Sequence, residues 1–236
     1  MGGIGEPGPD LSVLYVVATP IGNLEDLSPR AQRTLAAVVA VVVEDTRVTS
    51  RLLARSGIRV PLISHRAPVE RRSLGRVMDA LERGDVALVS DAGTPALSDP
   101  GALLTAEAWA AGHRVVAIPG PSAVTAALSV CGYRSDGFTF AGFLPRKPGE
   151  LRRTFESLRA ERRITIAFDS PHRILKSLAV LAEVLPSRPV TLGRELTKLH
   201  EEILRGTAGT VAESLAGRTR GEITLVVAGC EEDLSQ

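Results

Sequence analysis

The chain has few aromatic residues: one Trp, two Tyr and five Phe among 236 residues. That scarcity argues against an RNA binder that works mainly by stacking bases on exposed rings. Cysteine is also rare, and Cys131 and Cys230 both lie in apolar stretches. They are expected as buried free thiols of a cytoplasmic protein, not as a disulfide or a metal site. No apolar run approaches a bilayer span, and the opening MGGIGEPGPD lacks a charged region followed by an apolar one. No membrane segment or secretory signal is therefore expected, and residues 1–12 read as a flexible leader. With 28 Lys and Arg against 27 Asp and Glu, no field gathers nucleic acid over the whole surface, although a local basic patch is not excluded. Three motifs are missing as well. No G-x-G-x-x-G follows the first apolar run, and neither G-x-x-x-x-G-K-[ST] nor G-x-S-x-G occurs. His65, His113, His172 and His200 are widely separated with no Cys or carboxylate at ligand spacing, so they are expected at the surface or at helix ends and no metal is expected.

What the chain does hold is Val, Leu, Ala and Ile, within an apolar fraction of 44%. Such a core suits buried parallel strands covered by helices. The central stretch is VALVSDAGTPALSDPG, residues 86–101. Val86–Val89 is short and apolar enough for a strand buried on both faces. Asp91, Gly93, Thr94, Pro95, Ser98 and Asp99 then form a loop at its carboxyl end, where ligands of open α/β sheets sit. Asp99-Pro100 reads as a helix cap followed by proline at the first helical position.

Other strands are expected at Val13–Ala18, Val38–Val43, Pro61–Ser64 and Arg114–Ile118. Helices are expected over Pro29–Ala37, 48–56, a span containing Leu74, Val77, Met78 and Leu81, and Pro100–Ala111. This alternation predicts a parallel sheet in residues 13–119. Pro119-Gly120-Pro121 is a rigid joint and marks a second domain, 120–236, opening on a helix of small residues, Ser122–Ser129. There Phe138–Gly142, Ile164–Phe168, Val190–Gly193, Glu201–Arg205 and Glu222–Ala228 are strand candidates. The short connection through LGRELTKLHEEILRG favours an antiparallel hairpin and a mixed sheet. Ser170-Pro171 reads as the cap of a further helix. Between the first two of these strands, Arg146, Lys147, Arg152, Arg153, Arg159, Arg162 and Arg163 face only three acids. The run is either a solvated helix face or a phosphate contact.

What remains is a set of small-residue loops at strand ends, TPIGN, EDTR, DAGTP, PGPSA, DSPHR and GRELTK, suited to direct backbone contact with a ligand. At these loops the sequence closely resembles the tetrapyrrole-methylase superfamily, and within it the ribosomal RNA small subunit methyltransferase I family. LYVVATPIGNLEDLSPRA, EDTRVTSRLL, VALVSDAGTPALSDPG, VVAIPGPSAV, GFLPRK, SPHRI, GRELTKLHEEILRGT and GEITLVVAG carry the likeness in order over residues 13–229. Three departures stand out. Asp169 occupies a position where that family usually has Glu. ISHRAP at 63–68 lacks the expected polar pattern, so no role falls to His65. Many relatives also continue into a small basic helical segment beyond the point that matches Gln236.

The resemblance implies two α/β domains, a cofactor cleft, a homodimer, and 2'-O-methylation of a decoding-site cytidine in 16S rRNA using S-adenosylmethionine. It further implies that Pro20, Asp91, Thr94, Pro95, Ser122, Ala123, Phe168 and Ile223 line the cofactor site. Since a ribose hydroxyl is a poor acid, a base would help, and Glu44 and Asp45 are the candidate carboxylates. Arg47, Arg194 and Lys198 are candidates to steady a phosphate or the developing alkoxide. Alternatively, Glu44, Arg47 and Arg194 form a buried ion-pair network. Arg146, Lys147, Arg152 and Arg153 are the candidate RNA contacts. Two other functions fit the loops: methylation of a corrin precursor, and ribosome binding without catalysis.

Overall fold

A computed structural model describes residues 11–66, 70–215 and 217–230; most of the expected leader lies outside them. The chain divides into two compact units, the first ending at Ser122 and the second beginning at Ala123. Among the described residues no helix is long and apolar enough to cross a membrane.

The first unit contains β1 (Val13–Val17), α1 (Pro29–Ala37), β2 (Ala40–Val43), α2 (Thr46–Arg55), β3 (Leu62–Ser64), α3 (Glu70–Leu81), β4 (Val86–Leu88), α4 (Ala102–Ala110) and β5 (Arg114–Ile118). Its sheet has the order β3-β2-β4-β1-β5, and every pairing is parallel. Side chains alternate between faces along a strand, and here both faces are dry. Val41 and Val43 pack with Leu35, Leu53 and Ile118 on one side. Ala40 and Val42 pack with Val77, Leu81 and Leu104 on the other. This is why β2 and β4 are continuous apolar runs without polar alternation.

The second unit contains α5 (Ala123–Cys131), β6 (Phe138–Phe143), α6 (Pro148–Ser157), β7 (Ile164–Asp169), α7 (Ile174–Val184), β8 (Pro189–Arg194), β9 (Glu202–Thr207), α8 (Ala208–Leu215) and β10 (Ile223–Val227). The sheet order is β6-β7-β10-β8-β9; β6 and β7 are parallel, and the other pairs are antiparallel. The expected hairpin is β8–β9. One core lies between this sheet and α6, α7 and α8, built on Phe155, Leu178, Leu192 and Leu225.

Several local expectations are corrected. α4 begins at Ala102 with Gly101 as its N-terminal flank and no side-chain cap. Asp99 does not cap it, because the helix starts beyond Pro100 and Gly101 supplies no side chain to hold its first amides. Ser170-Pro171 does not open α7 directly. The Ser170 carbonyl accepts from the Arg173 and Ile174 amides in a turn, and the helix starts at Ile174. β2 begins at Ala40 because Val38 and Val39 form the bend out of α1. His65 and His113 are buried, not superficial, and the His65 ring meets the Ser73 hydroxyl at 2.6 Å. Cys131 is buried, whereas Cys230 is only half-buried; both are free.

At the end of β7, Asp169 has a fully enclosed side chain whose ion-pair partner Arg173 is 26% exposed. Its carboxylate accepts from Arg173 at 2.7 Å, the Ser177 hydroxyl at 2.5 Å and the Ser170 amide at 2.7 Å. The shorter acid is therefore fully satisfied here. Asp169→Ala removes the acceptor of the Ser170 amide and the Ser177 hydroxyl and leaves Arg173 only the Leu144 carbonyl among the described residues. It is expected to lower unfolding free energy by about 3 kcal/mol, reduced within the usual range by the partial exposure of Arg173. Urea unfolding measures this, and a loss under about 1 kcal/mol would contradict it.

Candidate active site

Because the strands of the first unit run parallel, the loops after β1, β2, β4 and β5 all leave the same edge of the sheet. Direct hydrogen bonds then join them. Thr19 and Gly93 exchange backbone bonds of 2.9 and 3.0 Å, which closes an isolated antiparallel bridge between the loops after β1 and β4. The Thr19 hydroxyl donates to the Ser90 carbonyl at 3.2 Å. Thr94 donates to the Pro121 carbonyl at 3.3 Å and so ties in the loop after β5. The Asp45 amide donates to Asp91 Oδ1 at 3.0 Å, bringing in the loop after β2. Gly93 has φ +81°, and a Cβ there would touch Ile21 at 3.4 Å. Ala96 and Ser98 also adopt positive φ, 66° and 68°. Non-glycine residues in that region store strain, which accumulates at functional sites.

Pro20, Glu44, Asp45, Asp91, Thr94, Pro95 and Ser122 thus belong to one connected set of strand-end loops. The electrostatics of that set are lopsided. Burial raises the Glu44 carboxyl above its ordinary range, and Asp91 and Asp99 push it further. Asp91 and Asp99 are raised by the same two causes, burial first and a neighbouring carboxylate second. Arg66 is the cation that acts against this, its Nε donating to the Glu44 carbonyl at 3.1 Å. Asp45 behaves oppositely: hydrogen bonds from Arg47 lower it to about 2. It also caps α2, since Oδ1 accepts the Arg47 amide at 2.9 Å.

Arg47 is 79% exposed and pairs with Asp45, while Arg194 pairs with Glu202 at 3.0 Å inside the β8–β9 hairpin.

In the second unit, Ile223 stands opposite both Asp169 and Arg194 in the sheet register, and Phe168 is one position along. Phe168 meets Phe140 and Phe143 edge to face at 4.9 and 5.5 Å. Ile223 is buried in the core. Ala123 opens α5. Lys198 is held by Glu195 at 2.8 Å and Glu222 at 3.2 Å. Of the basic run, Arg146, Lys147, Arg152 and Arg153 lie at the start and on the exposed side of α6, opposite Leu151 and Phe155. Lys147 pairs with Glu150 at 3.1 Å, and Arg152 pairs with Glu183, so the local charge excess is partly compensated.

Sequence reasoning missed Arg66 and Ser90 and misread Asp99 as a cap. Only three-dimensional proximity to Glu44 and Asp91 gives these residues a role, although the density of polar residues after β4 was a usable signal.

Known proteins agree with this architecture. Residues 13–212 match the family described as Tetrapyrrole (Corrin/Porphyrin) Methylases. A ribosomal RNA small subunit methyltransferase I of Xylella fastidiosa is 47% identical over 224 residues, 93% of this chain and 82% of that protein. The protein of the same name from Thermotoga maritima is 42% identical over 220 residues, 92% of this chain and 99% of that one. This chain belongs to the ribosomal RNA small subunit methyltransferase I family. Members of this family share a fold with more distant enzymes. A cobalt precorrin-4 methyltransferase structure superposes with TM-score 0.67 at 16% identity, covering 92% of this chain and 94% of that one. A Thermus thermophilus uroporphyrin-III-C-methyltransferase gives 0.64 at 20% identity, covering 92% and 94%. At those identities the likeness concerns the fold alone. The family and two-domain α/β expectations drawn from the loop motifs both stand.

In this family member, a carboxyl raised in the folded state destabilises the fold once it ionises, so its stabilising share is present at low pH and lost as pH rises through the folded value. Asp99→Asn is therefore expected to raise the thermal midpoint at pH 7, with the gain shrinking as pH falls and Asp99 takes up its proton. Calorimetry over that fall in pH checks the sign; a constant difference would contradict it.

Proposed function

We propose that this chain transfers a methyl group from S-adenosylmethionine to the 2'-hydroxyl of a cytidine in the decoding site of 16S rRNA in the small ribosomal subunit. The reading rests on one observation. Backbone-rich loops and the raised carboxyls of Glu44, Asp91 and Asp99 meet at one sheet edge, in a chain whose relatives carry the rRNA methyltransferase name. The residues present suit a cationic cofactor. An acidic rim opposed chiefly by Arg66 favours a group bearing ammonium and sulfonium charge, and Gly93 lets backbone approach closely.

S-adenosylmethionine supplies, when bound, a methyl group activated by its sulfonium. The protein then contributes position and a proton acceptor. Asp91 accepts hydrogen bonds from the cofactor's polar groups, while Thr94 and the Pro119–Ser122 loop fix the cradle through Thr94–Pro121. With the cofactor bound, Glu44 would accept the ribose hydroxyl proton as the oxygen took the methyl group, and the cleaved methyl–sulfur bond would leave a neutral thioether as leaving group. The raised Glu44 carboxyl is a better match to that task than Asp45, whose charge is committed to Arg47.

Small subunits lacking the modification, incubated with labelled cofactor and mapped by mass spectrometry, are expected to gain one ribose methyl on a cytidine. Asp91→Ala is expected to weaken cofactor binding at least about tenfold. Glu44→Gln is expected to slow transfer by about a hundredfold with cofactor affinity kept. Label appearing in a tetrapyrrole alone, or unchanged binding and transfer by Asp91→Ala, would overturn the reading.

A further inference from the structure

The second unit carries a cavity that the methyl-transfer chemistry does not use. It has a volume of about 310 Å³ and is lined by Arg194, Glu195, His200, Arg218, Arg220 and Gly221. That size is at the lower end of ligand pockets, roughly 300 to 1,000 Å³, and suits a nucleotide-sized fragment.

Two of its guanidinium groups are fixed by a single carboxylate. Arg194 and Glu202 face each other across the β8–β9 ladder. Glu202 Oε2 accepts from Arg194 Nε at 3.0 Å, and Oε1 pairs with Arg218 Nη2 at 2.9 Å. Arg194 Nη1 also donates to the Arg220 carbonyl at 3.1 Å. A guanidinium has five N–H donors, so both arginines keep donors for a ligand in orientations already set. Arg220 is exposed and makes no ion pair among the described residues. Glu202 offsets one of the three guanidinium charges, and Lys198 is shared between Glu195 and Glu222, which leaves the cations of this cluster in excess by one. The cavity therefore favours an anion.

The loop beside it is held under strain. Glu195 and Thr197 have φ of 52° and 67°. Glu195 Oε1 accepts from the Glu222 amide at 2.8 Å and from Lys198 at 2.8 Å. Gly221, with φ +102°, is required there, because a Cβ would meet Glu195 Cγ at 2.4 Å. This restrained loop presents Leu199, which is 93% exposed. Such a side chain gains nothing by packing within the described fold, and it directly precedes His200 at the cavity wall. A fixed anion site bordered by a projecting apolar side chain matches a phosphate and its neighbouring base. Recognition of single-stranded RNA combines a backbone contact with a surface for the base, and Leu199 offers that surface as aliphatic van der Waals contact.

We infer that this cavity binds a phosphodiester of a single-stranded RNA segment, with Arg218 and Arg220 on the phosphate and Leu199 against the adjoining base. The inference rests on the rRNA reading above, yet its test is separate from methyl transfer. The full chain is titrated with a fluorescent single-stranded oligoribonucleotide over a range of salt, and with inorganic phosphate as competitor. Relative to the parent, Arg218→Ala/Arg220→Ala is expected to weaken RNA binding about tenfold and to reduce the slope of log affinity against log salt by about one to two. Affinity for S-adenosylmethionine and the thermal midpoint should be retained. Leu199→Ser, at a position too exposed to affect folding, should weaken RNA binding by several-fold without changing the salt slope. Unchanged RNA affinity in either variant would overturn the proposal. So would phosphate binding that RNA does not compete with, or a change in oligomeric state on Leu199→Ser with RNA affinity intact. If the parent methylates small subunits and the double variant does so with the same KM, the cavity assignment fails and the rRNA reading stands. If the parent binds RNA through this cavity but methylates no subunit, the reverse holds.

Discussion

The pair of hydrogen bonds exchanged by Thr19 and Gly93 is the constraint on which the candidate site depends. Parallel strands bring their carboxyl ends to one edge but do not themselves pair the loops beyond. Here β1 and β4, neighbours in the sheet, continue into a bridge of opposite sense after their parallel pairing ends. Gly93 makes this reversal affordable through its positive φ, and Thr94 and Asp91, on either side of it, extend the tie to Pro121 and Asp45. Side-chain chemistry is thus mounted on a backbone frame, which explains why the loops hold so many small residues.

That frame also explains the acidity of the site. Glu44, Asp91 and Asp99 are partly withdrawn from water and sit within one another's fields, an arrangement costly to the fold. Asp169 is the contrast in the second unit. It is fully enclosed, yet Arg173, Ser177 and Ser170 answer its charge. One carboxylate is fully answered by its neighbours, while the three in the first unit are opposed chiefly by Arg66.

Much of the architecture was legible in the residues. Runs such as Val86–Leu88 and Ala40–Val43 are apolar at every position because both faces of the sheet are covered, and α1 and β5 begin and end where periodicity places them. Helix starts were less readable. Asp99-Pro100 and Ser170-Pro171 have the composition of caps, but α4 starts two residues beyond the first pair and a turn absorbs the second. Of the site, the loop residues could be named from their composition and resemblance. Arg66, Ser90 and Arg218 could not, because their roles come from partners 22 or more residues away, or from a shared carboxylate, as with Glu202. The histidines went astray for a similar reason: polarity alone placed His65 outside, whereas Ser73 supplies a partner inside.

The central claim is that loops distant in sequence form one connected cradle for the cofactor. Hydrogen exchange of the full chain, followed peptide by peptide with and without S-adenosylmethionine, addresses it most directly. The account predicts that peptides covering Thr19–Asn23, Glu44–Arg47, Ser90–Asp99 and Gly120–Ser122 gain protection together at the same cofactor concentration. Protection confined to one of these loops, or falling elsewhere while all of them exchange as before, would contradict it.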